Sequence, residues 1–326
     1  MNLINSLKCI YMVDENTDFF KIEDNFAKTA HIPSIPIIES KLDFVPKVTI
    51  AIPTYKRAAL LKEALDSAIN QIGFDEYDII VVDNNPERGC ETEKLMLTYH
   101  EPRLSYYKNA ENLGMVGNLN RCIALAKGEY LTILHDDDAL HYNFIAYFQR
   151  CLVVKPDLKC FVCSMYNVGA DVKFEDIGFN SKLKKVNKKV FLFGNITPFP
   201  GVVFQNDKNI SFDESTYPIM DLDFWYRLSL KGNFYISAMK LAFYRISEQQ
   251  TSNTVYKQII DDTKKFHHKY LIGSLNPFDQ IVSNYSIRNL ENYYMKVYIN
   301  RNTTKINLIS IINSLIYGIY KKIIFI

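Results

Sequence analysis

The run His135-Asp136-Asp137-Asp138 closes an apolar segment, Tyr130 to Leu134. Three adjacent carboxylates repel one another unless a cation sits among them. Oxygen ligation of this kind suits Mg2+ or Mn2+, ions that usually arrive with a substrate's phosphates. The same acids could instead form a solvated turn capping the next helix, because Asp is a favoured N-cap. What surrounds the run decides between these readings.

Upstream, Val48 to Ile52 reads as a fully buried strand, and Leu61, Ala64, Leu65, Ala68 and Ile69 fall on one face of an amphipathic helix. Tyr77 to Val82 predicts the next strand. A turn through Asp83-Asn84-Asn85-Pro86 follows, then a helix through Glu91 to Tyr99, a strand at Leu104 to Tyr107 and a helix from Val116 to Ala126. Strands alternating with helices of this length imply a parallel sheet covered on both faces. In such sheets ligands bind beyond the carboxyl ends of the strands. Thr54, Asp83 and Asp136 to Asp138 each directly follow an apolar strand, so three separate segments would bring polar groups to one rim.

Those residues carry a resemblance. Ala51-Ile52-Pro53-Thr54-Tyr55-Lys56-Arg57, Val81-Val82-Asp83-Asn84, Asn112-Leu113-Gly114, Gly117-Asn118-Leu119-Asn120-Arg121, Gly128-Glu129-Tyr130 and Asp136-Asp137-Asp138 resemble, in order and spacing, the family 2 glycosyltransferases. The likeness implies an α/β fold: a doubly wound, mostly parallel nucleotide-diphospho-sugar transferase (GT-A-like) sheet with a helical C-terminal appendage. It also implies a UDP- or dTDP-type sugar donor, a Mn2+ or Mg2+ cofactor, and a glycan or lipid-linked glycan acceptor in bacterial surface polysaccharide assembly. Donor contacts then fall on Pro53, Thr54, Tyr55, Arg57, Asp83, Asn112, Gly114, Asn118, Arg121, Asp136, Asp137 and Arg245. Asp83 would read the pyrimidine edge, although an Asx turn is the simpler use of an Asp there. Thr54 could equally cap the following helix, and Arg121 could sit on a helix surface. Asp136 would face the ribose side and the metal, with Asp138 as the principal metal ligand. His135 stands where many relatives carry another acid, and a supporting or packing role is the favoured reading.

Transfer needs a base to take the proton of the attacking hydroxyl. The segment Met220-Asp221-Leu222-Asp223-Phe224-Trp225-Tyr226-Arg227 resembles the family's acceptor-side helix, so Asp221 matches the base, with Gly201, Asp223 and Trp225 on the acceptor side. Asp223 could instead pair with Arg227 at i+4. Two acids in a first helical turn also complement the helix dipole. Met220 replaces a common Glu, and Ser247 replaces a His that relatives often place two residues after the Arg, leaving Arg245 or Glu248 to compensate.

Net charge is only +2, which gives no reason to expect nucleic acid as a partner. Six cysteines show no paired framework, and Cys160-Phe161-Val162-Cys163 sits in an apparent buried strand. No signal peptide is legible at the start, so a cytoplasmic enzyme is expected. Residues 1–45 read as an extension that packs on the sheet edge or helices, 46–254 as the catalytic domain and 255–326 as a basic, aromatic helical region. From Val255 onward ten Lys or Arg stand against four Asp or Glu, an excess of six. Ile306 to Ile326 is too polar to span a bilayer. It suits a helix that packs on protein or dimerises, or one that lies on the inner membrane face. Lys182 to Lys189 predict a basic loop or hairpin, with contact to an anionic acceptor as the alternative use. Two competing functions remain open: a sugar nucleotidyltransferase, which would want a glycine-rich loop where Pro53-Thr54-Tyr55-Lys56-Arg57 stands, and a catalytically idle sugar- or partner-binding relative.

Overall fold

The computed structural model describes residues 24–168, 182–195, 197, 199–246, 255–268 and 277–299. The first half runs through Asn25–Thr29 (α1), Ser34–Ile38 (β1), Val48–Thr54 (β2), Ala58–Ile69 (α2), Tyr77–Asp83 (β3), Glu91–Met96 (α3), Leu104–Asn109 (β4), Gly114–Leu125 (α4) and Tyr130–Ile133 (β5). The second comprises Ala139–Leu140 (β6), Phe144–Val154 (α5), Leu158–Val168 (β7), Leu183–Val186 (β8), Val202–Gln205 (β9), Met220–Ser229 (α6), Asn233–Arg245 (β10), Tyr256–Phe266 (α7) and Pro277–Ile299 (α8).

Among the described residues the strands form one sheet in the order β1-β4-β3-β2-β5-β9-β7-β10-β6, with β8 on β10. β4, β3, β2 and β5 run parallel, as do β7 and β10, while β9 enters antiparallel between β5 and β7. Helices cover both faces. Because side chains alternate along a strand, Ile50, Ile52, Ile79 and Val81 meet α2 and α5 on one side. Ala51, Ile80, Val82 and Ile133 meet α4 and α6 on the other. This is why the strands read as unbroken apolar runs. The chain builds β3 and β4 outward from β2, then crosses back to place β5 on its other flank. A crevice opens at that reversal.

Several boundaries differ from the sequence reading. β2 continues through Pro53 and Thr54, which register with Val82 and Asp83. β4 runs on to Asn109 because β1 pairs with it antiparallel, Ser34 opposite Asn109. Residues 34–38 are therefore an edge strand of the same sheet. The basic stretch, expected as a loop or hairpin, contains β8, paired antiparallel with β10 with Lys184 and Lys185 exposed; lysines on a short edge strand discourage edge-to-edge pairing. Cys160 and Cys163 lie in β7 on opposite faces, one in each core, so they cannot form a redox pair. No described helix is long and apolar enough to cross a membrane. The segment 306–326 lies outside the described residues.

Gly128 shows how tightly the strand ends are packed. A Cβ there would lie 2.5 Å from the Thr49 nitrogen, 2.7 Å from the Val48 carbonyl carbon and 2.8 Å from the Tyr130 oxygen. Backbone cannot swing aside as a side chain can, so Gly128→Ala is expected to destabilise the fold by about 1–3 kcal/mol, the usual range for overpacking. Thermal melting measures this, and an unchanged midpoint would contradict the packing.

Candidate active site

The carboxyl ends of β2, β3 and β5 open onto a cavity of about 700 Å³. Its wall includes Pro53, Thr54, Tyr55, Arg57, Asn112, Gly114, Asn118, Asp136, Asp137 and Asp221, all expected from the sequence. The path from β2 to α2 turns sharply at Lys56, whose φ of +56° lies in the left-handed region. That turn returns Arg57 to the acidic run, where it donates to Asp136 Oδ1 at 3.2 Å and to Asp137 Oδ2 at 3.1 Å. Thr54 Oγ1 donates to Asp136 Oδ2 at 2.8 Å. Thr54 is thus a partner of the acids and not a helix cap; α2 is capped at Arg57.

Asp138 is placed differently. Its Oδ1 accepts from the Arg245 backbone N–H at 2.9 Å, while its Oδ2 is buried with no hydrogen-bond partner among the described residues. Burial, aggravated by Asp137, pushes this carboxyl up to about 8. A buried carboxylate with an open oxygen fits a cation better than a proton-free vacancy in apolar packing. Ligand atoms of His135, Asp137 and Asp138 lie within 4.8 Å of one another. One imidazole nitrogen and two carboxylates suit a divalent ion such as Mn2+. The grouping differs from the expected pair: Asp136 is engaged by Thr54 and Arg57, and the atoms gathered with those of Asp138 belong to Asp137 and His135. His135 also packs against Phe199, ring centroids 4.5 Å apart, and burial lowers its pKa, favouring the neutral imidazole that can ligate.

Across the cavity, Asp221 lies half-buried in the first turn of α6. Asn195 Nδ2 donates to its Oδ2 at 2.5 Å and the Leu222 N–H to its Oδ1 at 2.8 Å. Burial outweighs these bonds and pushes the carboxyl up to about 6. A base must hold its proton weakly enough to release it and strongly enough to take it, which this value allows near neutrality.

Other expected residues are not at the cavity. Asp83 is fully buried; its Oδ2 accepts from Lys108 Nζ at 2.8 Å and from the Tyr106 hydroxyl at 2.7 Å, and its Oδ1 from the Asn85 N–H at 2.9 Å. The carboxylate makes the Asx turn and closes an ion pair. Arg121 donates to Ser34 Oγ at 2.7 Å and to the Thr29 carbonyl at 2.8 Å, and so binds the N-terminal segment. Arg245 spends its side chain on Glu63 and on the Asp137 carbonyl, the latter at 2.9 Å, and so steadies the acidic turn. Gly201 is buried where a Cβ would come within 3.0 Å of Cys163, and Trp225 packs among Phe199, Phe204 and Phe224. Asp223 pairs with Arg227 at 2.7 Å. Ser247 and Glu248 lie outside the described residues. Sequence reasoning missed Asn195, which stands outside every motif, and Asn84, which sits beside Asp83 and faces the cavity in its stead.

Comparison with known proteins agrees with this geometry. The pattern of Glycosyl transferase family 2 matches residues 49–211. An uncharacterized glycosyltransferase of Rickettsia typhi is 28% identical over 273 residues, covering 78% of this chain and 83% of the relative. The GalNAc(5)-diNAcBac-PP-undecaprenol beta-1,3-glucosyltransferase of Campylobacter jejuni is 27% identical over 222 residues, 64% of this chain and 67% of that protein. Among solved structures, Staphylococcus aureus TarS 1–349 with UDP-GlcNAc superposes with a TM-score of 0.57 at 14% identity, covering 85% of this chain and 81% of that one. The mannosyltransferase PcManGT of Pyrobaculum calidifontis, in complex with GDP-Man and Mn2+, gives 0.54 at 14% identity over 91% and 85%. With its GT-A sheet, its cavity at the strand reversal and a family pattern spanning half its length, the chain belongs to glycosyl transferase family 2.

Proposed function

We propose that the protein is an inverting glycosyltransferase that moves a sugar from a UDP- or dTDP-type donor to a hydroxyl of a glycan or lipid-linked glycan, in bacterial surface polysaccharide assembly. The observation that carries this reading is that Asp221 and the acidic turn, from segments about 85 residues apart in sequence, face one cavity. The relatives support the donor class: TarS binds UDP-GlcNAc, and the Campylobacter enzyme is named for a diphosphate-linked lipid acceptor. Thr54, Tyr55 and Asn84 line the side where the nucleoside would lie, with Arg57 beside the acids to offset phosphate charge. His135, Asp137 and Asp138 would hold a divalent cation, which when bound supplies Lewis-acid stabilisation to the departing diphosphate. Asp221 takes the proton of the acceptor hydroxyl as its oxygen attacks the anomeric carbon from the face opposite the diphosphate. Asn195 holds that carboxylate in its orientation, and the apolar Phe199, Met220 and Ile259 limit water at the same wall. The basic C-terminal region, with 306–326 as its end, is assigned to contact with an anionic membrane surface or with a second copy.

Asp221→Asn is expected to lower turnover by about 10² to 10⁴, the cost of losing a general base, with donor affinity nearly unchanged. Asp223→Asn should instead lower the melting temperature through Arg227. In the native protein the rate should fall as pH drops through about 6, where Asp221 protonates. Stability runs the other way. Burial holds the folded carboxyl above the ordinary Asp value of 3.8, so folding takes up a proton between these values and this group's contribution is lost as pH rises through about 6. An acid limb that persists unchanged in Asp221→Asn would remove it as the base.

Asp138→Asn keeps an Oδ1 acceptor for the Arg245 N–H, so the fold should persist while transfer and Mn2+ binding are lost. Calorimetric Mn2+ titration, turnover and melting separate the outcomes. Near-normal turnover refutes the metal role, and a collapsed melt shows that the acid serves only to hold β10.

A further inference from the structure

The cavity has two unlike walls. On one side Thr54, Asn84, Asn112 and Asn118 bring polar side chains to it. Around Asp221 the lining is Phe199, Tyr217, Met220, Val255 and Ile259. Tyr217 and Ile259 pack against the buried cluster that holds Phe199 and Met220, so these side chains make one apolar surface. Asn195, the amide on that side, is engaged at both ends. Its Nδ2 donates to Asp221 Oδ2, and its Oδ1 accepts from the Thr197 N–H at 3.1 Å and the Thr197 hydroxyl at 2.9 Å. A sugar hydroxyl turned toward this surface would lose its water partners and gain none, which costs free energy, whereas a methyl group would be favourably removed from water.

Two of these five residues come from the start of α7, beyond residues 46–254, the stretch read from sequence as the catalytic domain. α7 is fastened in place by three contacts. Gln258 Nε2 donates to the Tyr217 carbonyl at 3.1 Å, which ties its first turn to the loop that leads into α6. Phe266 meets Tyr226 of α6 edge to face, ring centroids 5.4 Å apart, and His267 Nε2 donates to the Phe191 carbonyl at 3.2 Å. Val255 and Ile259, four residues apart, share one face of the helix. Both are half-buried, so each still has surface to give to a ligand.

We propose that the start of α7 determines acceptor specificity: Val255 and Ile259, with Phe199, Tyr217 and Met220, select an acceptor sugar that carries a methyl-bearing substituent, an N-acetyl group or a 6-deoxy carbon, beside the attacking hydroxyl. The inference rests on the reading of Asp221 as the base, which places the acceptor at this wall. Calorimetric titration of the full chain with UDP and Mn2+ tests it, using methyl glycosides in matched pairs: glucose against N-acetylglucosamine, galactose against N-acetylgalactosamine, and D-galactose against D-fucose, its 6-deoxy form. In at least one pair the methyl-bearing sugar should bind about tenfold more tightly, the lower end of what one methyl gives in an apolar pocket. Which pair responds separates the N-acetyl from the deoxy source. Ile259→Asn should abolish the preference while UDP affinity and melting temperature are retained, and Ile259→Leu should keep it. Val255→Thr places a favoured N-cap residue at the cap of α7, so it should fold, and it should weaken the preference in the same sense. Equal binding within every pair, as when any pyranose stacks its C–H face on the wall, overturns the proposal. So does a preference that survives in both folded variants. If UDP binds and no sugar of either kind does, the acceptor class alone is wrong; if UDP does not bind, the donor reading fails and the inference falls with it.

Discussion

Repulsion among Asp136, Asp137 and Asp138 is the constraint on which the rest of the site depends. They are relieved from two other parts of the chain: Asp136 by Thr54 and Arg57 after the end of β2, Asp137 by Arg57 again, and Asp138 by the backbone of Arg245 at the end of β10. Pulling the three together therefore ties the first parallel strand to the last strand across the sheet. The relief is incomplete by one atom, Asp138 Oδ2. Leaving a buried polar atom without a partner costs free energy, and a cation recovers it. This open carboxylate oxygen thus lies where a cation would be stabilised.

A second polar assembly lies behind the cavity wall at the end of β3. Asp83 and Lys108 form an ion pair that is closed to solvent, with Tyr106 and the Asn85 N–H completing the carboxylate's bonds. Burying such a pair is worthwhile only when its remaining lone pairs and protons are met, and here they are. Its consequence is local geometry. With Asp83 anchored inward, the chain leaves β3 so that Asn84, hydrogen-bonded by its backbone N–H to the Thr54 carbonyl at 2.9 Å, becomes the residue that faces the cavity.

The sheet and its covering helices were legible because continuous apolar runs and 3.6-residue periodicity leave few alternatives, and the polar residues at the strand ends then had one rim to occupy. What sequence could not resolve is which way each polar side chain turns. Asp136 and Asp137 are neighbours with the same chemistry and both accept from Arg57, yet Thr54 engages only Asp136, and a carboxylate oxygen of Asp137 lies grouped with His135 and Asp138. Arg121 lies in a motif beside donor residues but emerges on the outer side of α4, where Ser34 meets it. Asn195 sits in a segment without periodicity or motif, and only the folded chain brings it to Asp221. Orientation depends on contacts distant in sequence, and spacing along one chain carries no record of them.

The pair Asp221 and Asp223 shows the same physics deciding chemistry. Two residues apart on a helix they point about 200° around the axis from one another, so one reaches the cavity and the other the interior. Asp223 meets a guanidinium, which also donates to the Ser211 carbonyl at 2.6 Å, and becomes a strut between α6 and the loop before it. Asp221 meets an amide and backbone N–H groups, which orient a carboxylate without neutralising it, and burial then raises its proton affinity. Exchanging the two environments would exchange the roles. The acid proposed as base is the one whose partners have dipoles and no charge, because a cation at hydrogen-bonding distance would hold the carboxylate ionised and too weakly basic to accept a hydroxyl proton.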